Sequence, residues 1–258
     1  MNAENEMEIR KKIAKKLVEQ AEIVRAKPRA TIDYAGDHEE ANLLLDDLEY
    51  RPSAYVIGVL VDLQTKAERA WRIPWEVNRH FGTVDPRELV QLSQKTLTDF
   101  FVRNRLHRFN SKMGKKVYDA MHLLVRDYDG DAGAIWRGKP SSATVVYRFL
   151  QFDGVGQKLA SMAANQLARD FKIPFSDYYS IDISIDTHVR RVFKRLGLVD
   201  EGAANEQIVF CARSMHPEYP GLLDYGTFRL GRKLCRPTSP KCGECYLSDY
   251  CLYAKSCA

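Results

Sequence analysis

Four cysteines lie close together in the segment CRPTSPKCGECYLSDYC, where short loops can bring their thiolates to one place. Such a set of thiolates can bind either a tetrahedral zinc ion or a [4Fe–4S] cluster. Four-cysteine zinc sites usually contain two C-x2-C pairs, whereas the spacing here, C-x6-C-x2-C-x5-C, contains one and favours iron–sulfur. We expect Cys211 and Cys257, outside the array, to be ordinary packed residues. The array itself consists of Cys235, Cys242, Cys245 and Cys251.

A second segment that could do chemistry is FDGVGQKLA, residues 152–160. Gly154 and Gly156 can adopt turn conformations that other residues avoid, and the small-residue run that follows predicts a helix. Such a turn presents backbone N–H groups that can bind a phosphate oxygen, although a plain connection between two helices is the commoner explanation for G-x-G alone. Lys158, just after the turn, is either an ordinary solvated lysine or a nucleophilic amine.

The third segment is SIDTHVRRVFKRLG, which predicts a helix with an apolar inner face and a basic outer face. Asp186 is placed to cap the start of this helix, and capping is its more common role. A carboxylate at one helix start and a lysine at another can also converge in a cleft. There the amine attacks while the carboxylate steers charge and protons.

The elements that must position these residues are predominantly helical. Residues 4–26 form an amphipathic pattern, and the apolar run at 54–71 predicts one buried helix. Period-two alternation appears only briefly, at YSIDISID, and we find no internal repeat. Further helices are predicted at 41–50, 86–92, 94–106, 110–128 and 141–151.

The composition is that of a globular protein, with 45% hydrophobic and 28% charged residues. No apolar run approaches the roughly 20 residues of a membrane helix, so we expect a cytoplasmic protein that does not bind membranes. The net charge of +5 is compatible with a nucleic-acid partner but does not demonstrate one.

Taken in their order along the chain, these three segments resemble the helix-hairpin-helix DNA glycosylases of the endonuclease III family. The cysteine spacing matches the iron–sulfur loop of that family, GVGQKLA is similar to its hairpin, and IDTHVRRV is similar to the segment with its catalytic aspartate. The resemblance implies an all-α, two-lobed helix-hairpin-helix glycosylase fold. A six-helix lobe would comprise 46–170, and an iron–sulfur cluster lobe would comprise 1–45 and 171–258.

The resemblance also implies a base-excision-repair glycosylase with AP lyase activity, acting as a monomer on double-stranded DNA and associated with the nucleoid through it. Lys158 would attack C1′ of a flipped-out nucleotide and form a Schiff base, and β-elimination would nick the strand. Asp186 would stabilise the charge that develops on the sugar. A [4Fe–4S] cluster would be held by the four cysteines.

The DNA contacts that the resemblance implies lie in three places. YVIGVLVDLQTKA is similar to the family helix whose end inserts a glutamine into DNA, here Gln64. Gly154 and Gly156 belong to the hairpin, and Arg236 and Lys241 match phosphate-contacting positions of the cysteine loop.

The chain departs from the family pattern at two places. Asp153 stands where proline is usual, and the segment FSDYYSIDIS, residues 175–184, is extra. The extra segment brings a competing carboxylate, Asp182, and two tyrosines, Tyr178 and Tyr179, which either stack on a flipped base or pack at the surface. Two alternative functions remain open: an AP lyase without base excision, and a non-catalytic DNA-binding module with an iron–sulfur or zinc staple.

Overall fold

The computed structural model describes the backbone of residues 3–256 and the side chains of residues 7–256, so Cys257 lies outside the described residues. This part of the chain contains helices and no strand, which confirms the predicted all-α class. The α-helices are α1 Ala3–Ala26, α2 Glu39–Asp46, α3 Pro52–Val61, α4 Ala67–Ala70, α5 Ile73–Phe81, α6 Pro86–Leu89, α7 Gln94–Arg103, α8 Asn110–Tyr128, α9 Ser142–Leu150, α10 Gln157–Arg169, α11 Thr187–Leu196, α12 Asn205–Met215, α13 Leu222–Lys233 and α14 Leu252–Ser256. Short 3-10 helices span Ala132–Ile135, Cys242–Glu244 and Ser248–Tyr250.

The described residues divide into two compact units. The cysteine-loop unit comprises 3–28, 141–146 and 164–256, and the hairpin unit comprises 29–140 and 147–163. None of the helices in residues 3–256 has the length and apolarity needed to cross a bilayer.

The cysteine-loop unit is built around α1, α11 and α13. α1 buries the apolar face that its sequence predicts, with Ile13 and Leu17 inside and Lys11 and Lys15 exposed. α13 approaches α1 closely at Gly226, where an added Cβ would lie 2.3 Å from the carbonyl oxygen of Leu17. The core of this unit includes Ile13, Leu17, Ile183, Val189, Val192, Phe193, Leu196, Ile208, Leu223, Leu230 and Leu247.

The hairpin unit has an aromatic centre. Tyr55 on α3 lies with its ring centroid 5.8 Å from that of Trp136, which stacks on Phe149 at 6.4 Å. The Tyr55 hydroxyl donates to Ala163 O at 2.9 Å, so this buried polar group is satisfied. The centre fixes α3 and the start of α10 in the same unit.

The boundary between the units differs from the predicted lobe boundaries of 46–170 and 1–45 with 171–258. Residues 29–45 lie in the hairpin unit because side chains join them to it: Arg72 Nε donates to Ala35 O at 3.0 Å, and the ring centroid of Tyr34 lies 4.9 Å from that of Trp71. Sequence periodicity does not report such side-chain to backbone bonds. The assignment of the two units to the lobes that bind DNA stays a prediction.

Candidate active site and cysteine loop

The segment FDGVGQKLA forms a turn that leads into α10. Gly154 has a φ of 70°, in the left-handed region that favours glycine, and Val155 donates its backbone N–H to Phe152 O at 3.0 Å. Because α10 begins at Gln157, the N–H groups of its first turn have no acceptor within the helix. The turn therefore offers backbone donors at a helix start, where an anion can bind. Gly156, the other glycine of the turn, is exposed and has no atom near the position of an added Cβ.

Lys158 is the second residue of α10, and its side chain is exposed in the hairpin unit. Its charge acts on a carboxyl group of the same unit, Asp62 at the end of α3. Burial raises the pKa of Asp62, while the charge of Lys158 and a hydrogen bond from Trp71 Nε1, at 3.3 Å, lower it. A second carboxyl group thus lies near the candidate nucleophile, although the two residues are far apart in sequence.

A buried lysine, Lys116, also reaches the glycine turn. Its ammonium group occupies the space beside Gly154 where a side chain would begin, and its residue is 4% exposed. Motif spacing does not single out Lys116 in the sequence. The signal that could have revealed it is its position on the inward face of α8, between buried Met113 and Ala120.

Gln64 lies in a loop that interrupts the predicted helix over 54–71. α3 ends at Val61, and Gln64 has a φ of 49°, which does not occur within a right-handed helix. The break is held from outside: Trp71 donates to Asp62, and His107 Nε2 donates to Leu63 O at 2.9 Å. The prediction of one continuous helix is therefore wrong, because tertiary hydrogen bonds take the place of helical ones. Gln64 itself is exposed at the tip of this anchored loop.

Asp186 caps α11, as the sequence predicts. Its Oδ1 accepts from Val189 N at 2.7 Å, so one carboxylate oxygen is held by the helix start. Val189, Val192 and Phe193 face the core. This arrangement fixes the position of the carboxylate in the cysteine-loop unit.

The competing carboxylate of the extra segment is engaged elsewhere. Asp182 is buried and receives two hydrogen bonds from Arg213, at 2.7 and 2.9 Å. Such a bidentate pair leaves the carboxylate little freedom to act on a substrate. The interpretation that prefers Asp186 is consistent with this pairing.

Tyr178 of the same segment packs within the cysteine-loop unit. Its ring stacks on Tyr219 at 4.8 Å, and the guanidinium of Arg25 lies 5.5 Å from each ring centroid. Of the two alternatives for this tyrosine, packing is the one observed. Tyr179 is 56% exposed.

The thiols of the cysteine array gather in one loop. Burial raises the pKa of Cys245 and of Cys251, and the charges of the other array cysteines raise them further, which requires the four thiols to be near one another. Among residues 3–256, no three histidine, cysteine or acidic side chains are arranged to hold a single metal ion. A [4Fe–4S] cluster does not require ligands arranged around one ion, because each of its cysteines binds a different iron. The donor set and its neighbouring backbone N–H groups, from Leu247 and Tyr253, fit such a cluster.

Two arginines of α11 support the start of this loop. Arg191 Nε donates to Cys235 O at 2.8 Å. Arg195 donates to Arg236 O at 2.6 Å and to Pro237 O at 2.9 Å, and its NH1 lies 3.6 Å from Cys235 Sγ. The helix that Asp186 caps is therefore tied directly to the cysteine loop.

The predicted phosphate contacts of the loop are exposed. Arg236 Nε donates to Lys233 O at 3.3 Å, and Lys241 forms an ion pair with Glu244 at 2.8 Å. An exposed pair of this kind is weak and can exchange for a phosphate. Cys211, by contrast, is 7% exposed in the core of the unit, where its thiol lies 3.5 Å from Leu198 O, as expected for a packed cysteine.

The predicted site residues are thus distributed between the two units. Gln64, Gly154, Gly156 and Lys158 belong to the hairpin unit, and the structure places Lys158 in the first turn of the helix that follows the Gly154 turn. The cysteine-loop unit contains Asp186, Arg236, Lys241 and the cysteine array, Cys235, Cys242, Cys245 and Cys251. The hairpin unit can offer an amine beside an anion-binding turn, and the cysteine-loop unit a capped carboxylate and four soft ligands.

Comparison with known proteins shows similarity to endonuclease III. The family model for the iron–sulfur binding domain of endonuclease III matches residues 235–251. An endonuclease III of Thermotoga maritima is 24% identical over 203 residues, which are 79% of this chain and 84% of the relative.

Solved structures share the fold. The structure of a trapped endonuclease III–DNA covalent intermediate has a TM-score of 0.59 at 18% identity, over 84% of this chain and 93% of the other. The structure of a thermostable thymine-DNA glycosylase has a TM-score of 0.62 at 14% identity, over 99% and 100% of the two chains. The predicted glycosylase fold is confirmed, the cofactor of residues 235–251 is a [4Fe–4S] cluster, and the chain is similar to endonuclease III in sequence and in fold.

Proposed function

We propose that the protein is a base-excision-repair DNA glycosylase with AP lyase activity on double-stranded DNA. The observation that carries this proposal is the place of Lys158, in the first turn of α10 and directly after the Gly154 turn. The cluster-binding domain at 235–251 supports it. So does the fold shared with an endonuclease III that was trapped covalently on DNA.

In a duplex the target base is stacked and inaccessible to side chains. The nucleotide must leave the stack before any side chain can reach C1′, and the gap that remains must be filled. Gln64 is suited to fill it, because its loop is anchored directly before it, at Asp62 and Leu63, while its side chain is exposed.

The nucleophile is the amine of Lys158. Its lone pair forms a bond to C1′ of the deoxyribose, and the bond from C1′ to the base breaks, so that the base leaves with the electron pair and gains a proton. The bond from C1′ to the ring oxygen then opens: the nitrogen lone pair forms the C=N bond of the Schiff base, while the ring oxygen takes the electron pair of the broken bond and the proton that the amine gives up. Loss of a C2′ proton expels the 3′ phosphate and nicks the strand, and water finally releases Lys158.

Asp186 acts on the charge that the departing base leaves on the sugar. A carboxylate held at a helix start keeps its position, so it requires no reorganisation as positive charge develops at C1′. The same carboxylate can receive a proton during the exchange between amine and sugar.

The cysteine array would hold the cofactor within the cysteine-loop unit. Cys235, Cys242, Cys245 and Cys251 would bind the [4Fe–4S] cluster, which supplies a rigid cross-link and the capacity for one-electron exchange. Arg236 and Lys241 on the loop surface would contact phosphates, and these contacts fix register rather than read sequence.

The test is borohydride trapping on duplexes that carry an abasic site or a damaged base. We expect the wild-type protein to form a covalent adduct and Lys158→Ala to form none, while Lys95→Ala, at an exposed lysine of the same unit, behaves as wild type. Absence of a wild-type adduct, or an adduct in Lys158→Ala, would contradict the assignment.

Scoring base release separately from strand nicking distinguishes the glycosylase from an AP lyase that acts only on abasic sites. DNA binding without base release, nicking or adduct would instead indicate a non-catalytic module. We further propose that the protein acts as a monomer in the cytoplasm, which light scattering and fractionation of expressing cells would test.

A further inference from the structure

Lys116 is a charged residue in a place where packing calls for an apolar one. It lies on the inward face of α8 with Met113, Val117 and Ala120, which are 1%, 0% and 4% exposed, and it is itself 4% exposed. Lysine is rarely buried to this extent unless its charge has a use or a partner, because removing an ammonium group from water costs free energy.

The end of this side chain reaches the glycine turn. A Cβ added at Gly154 would lie 1.8 Å from Lys116 Nζ and 2.5 Å from Cε, so the ammonium group fills the space beside the Gly154 backbone. Glycine is required there twice over, by its φ of 70° and by the lysine that packs against it. The turn and the lysine are thus built as one structure.

Burial and two neighbouring charged residues shift the pKa of Lys116. Burial lowers its pKa, the neighbouring Asp153 raises it, and the charge of Lys112 lowers it. Asp153 alone would make the turn repel an anion. An ammonium group behind the turn offsets this repulsion and, from its place beside Gly154, adds its attraction to that of the backbone donors.

We propose that Lys116 is a phosphate-binding residue that delivers a fixed positive charge through the glycine turn to a DNA phosphate held at Gly154. This inference rests on the proposed function, since it assumes that the hairpin binds DNA. A charge held in a partly buried position loses less of its attraction to solvent screening than an exposed lysine does. It also loses no side-chain entropy on binding.

The principal test compares Lys116→Met with Lys95→Met, the latter at an exposed lysine paired with Asp99. Affinity is measured over a range of salt concentrations on a duplex with a tetrahydrofuran abasic analogue. For Lys116→Met we expect a loss of about 10-fold and a salt slope that is lower by about 1, whereas Lys95→Met changes neither.

The unfolding temperature of Lys116→Met distinguishes a functional charge from a structural role of this lysine. Methionine has nearly the same shape and no charge to desolvate, so Lys116→Met is expected to unfold at the same temperature as wild type or higher. A variant that is no less stable and yet binds DNA less well has lost a functional charge.

A second variant addresses the contact itself. Gly154→Ala places a methyl group on the ammonium position and also strains the φ of 70°, so we expect weaker binding than wild type in both the wild-type and the Lys116→Met backgrounds. Equal affinity and salt slope in Lys116→Met and Lys95→Met would overturn the proposal. If the wild-type protein neither traps abasic DNA nor binds the duplex, the proposed function itself fails.

Discussion

At the scale of single residues, the environment of Asp62 is set by groups that are not its neighbours in sequence. It follows the apolar helix α3, yet its carboxyl group accepts from Trp71 Nε1 and responds to the charge of Lys158. Because burial dominates, the pKa of Asp62 is raised in the folded protein. The folded chain therefore keeps a proton on this group to a higher pH than the unfolded chain does.

This shift predicts how stability depends on pH. A carboxyl group with a raised folded pKa binds more protons in the folded state, so the free energy of unfolding falls as pH rises from the unfolded pKa, about 3.9, through the folded value. Asp62→Asn keeps an acceptor for Trp71 and removes the charge. We expect it to stabilise the protein by about 1 kcal/mol at pH 8 and by less at pH 5.

Urea unfolding at the two pH values measures this difference. Glu88→Gln, at an exposed residue of the same unit, is the control and is expected to change stability little at either pH. A stabilisation by Asp62→Asn that is equal at pH 5 and pH 8 would show that the buried charge is not its cause.

At the scale of elements, the loop of residues 62–66 follows the buried helix α3 and carries Gln64, the proposed DNA contact. Its backbone is strained at Gln64, with a φ of 49°, and two hydrogen bonds from outside the loop hold it there. A strained backbone at an exposed residue is consistent with a functional role for that residue.

Two substitutions at Gln64 separate the effect of its backbone strain from the effect of the proposed contact between its side chain and DNA. Gln64→Gly is expected to raise the free energy of unfolding by about 1 kcal/mol, because glycine adopts a positive φ freely, whereas Gln64→Ala keeps the strain. Both are expected to slow borohydride trapping on a lesion-containing duplex by on the order of 10-fold, since both remove the side chain that is proposed to fill the gap. Wild-type trapping rates in both variants would remove Gln64 from the site.

The cysteine loop is the second element with a clear mechanical role. It is bound to α11 through Arg191 and Arg195, and its backbone is bound to α13 by the bond from Cys235 N to Leu230 O, at 2.8 Å. The loop therefore supports α11, the helix that Asp186 caps. Under the proposed function, a cluster held by this loop would help to keep the Asp186 carboxylate in place.

For the whole molecule, loss of the cluster is expected to affect stability and activity together. Cys245→Ala removes one of four ligands, so we expect loss of iron, loss of visible absorbance and a lower unfolding temperature. Cys211→Ala is the matched control, because this buried thiol lies outside the loop. It should cost about 1 kcal/mol of stability while iron content stays at the wild-type level. Full iron content in Cys245→Ala would contradict the ligand assignment.

Most of the local structure could be predicted from the sequence. α8 spans 110–128 as its periodicity predicts, and Asp186 caps α11, because these features depend on neighbours a few residues away. The cysteine spacing indicated the cofactor for the same reason: a short loop must bring its own ligands together.

The tertiary structure alone decided three features: the end of α3 at Val61, the charge of Lys158 acting on Asp62, and the ammonium group of Lys116 behind Gly154. Each depends on groups that are distant in sequence, and a helical pattern cannot report a hydrogen bond or a charge from another element. Composition and spacing thus determined the fold class and the cofactor, whereas packing determined which polar groups face the candidate nucleophile and the hairpin.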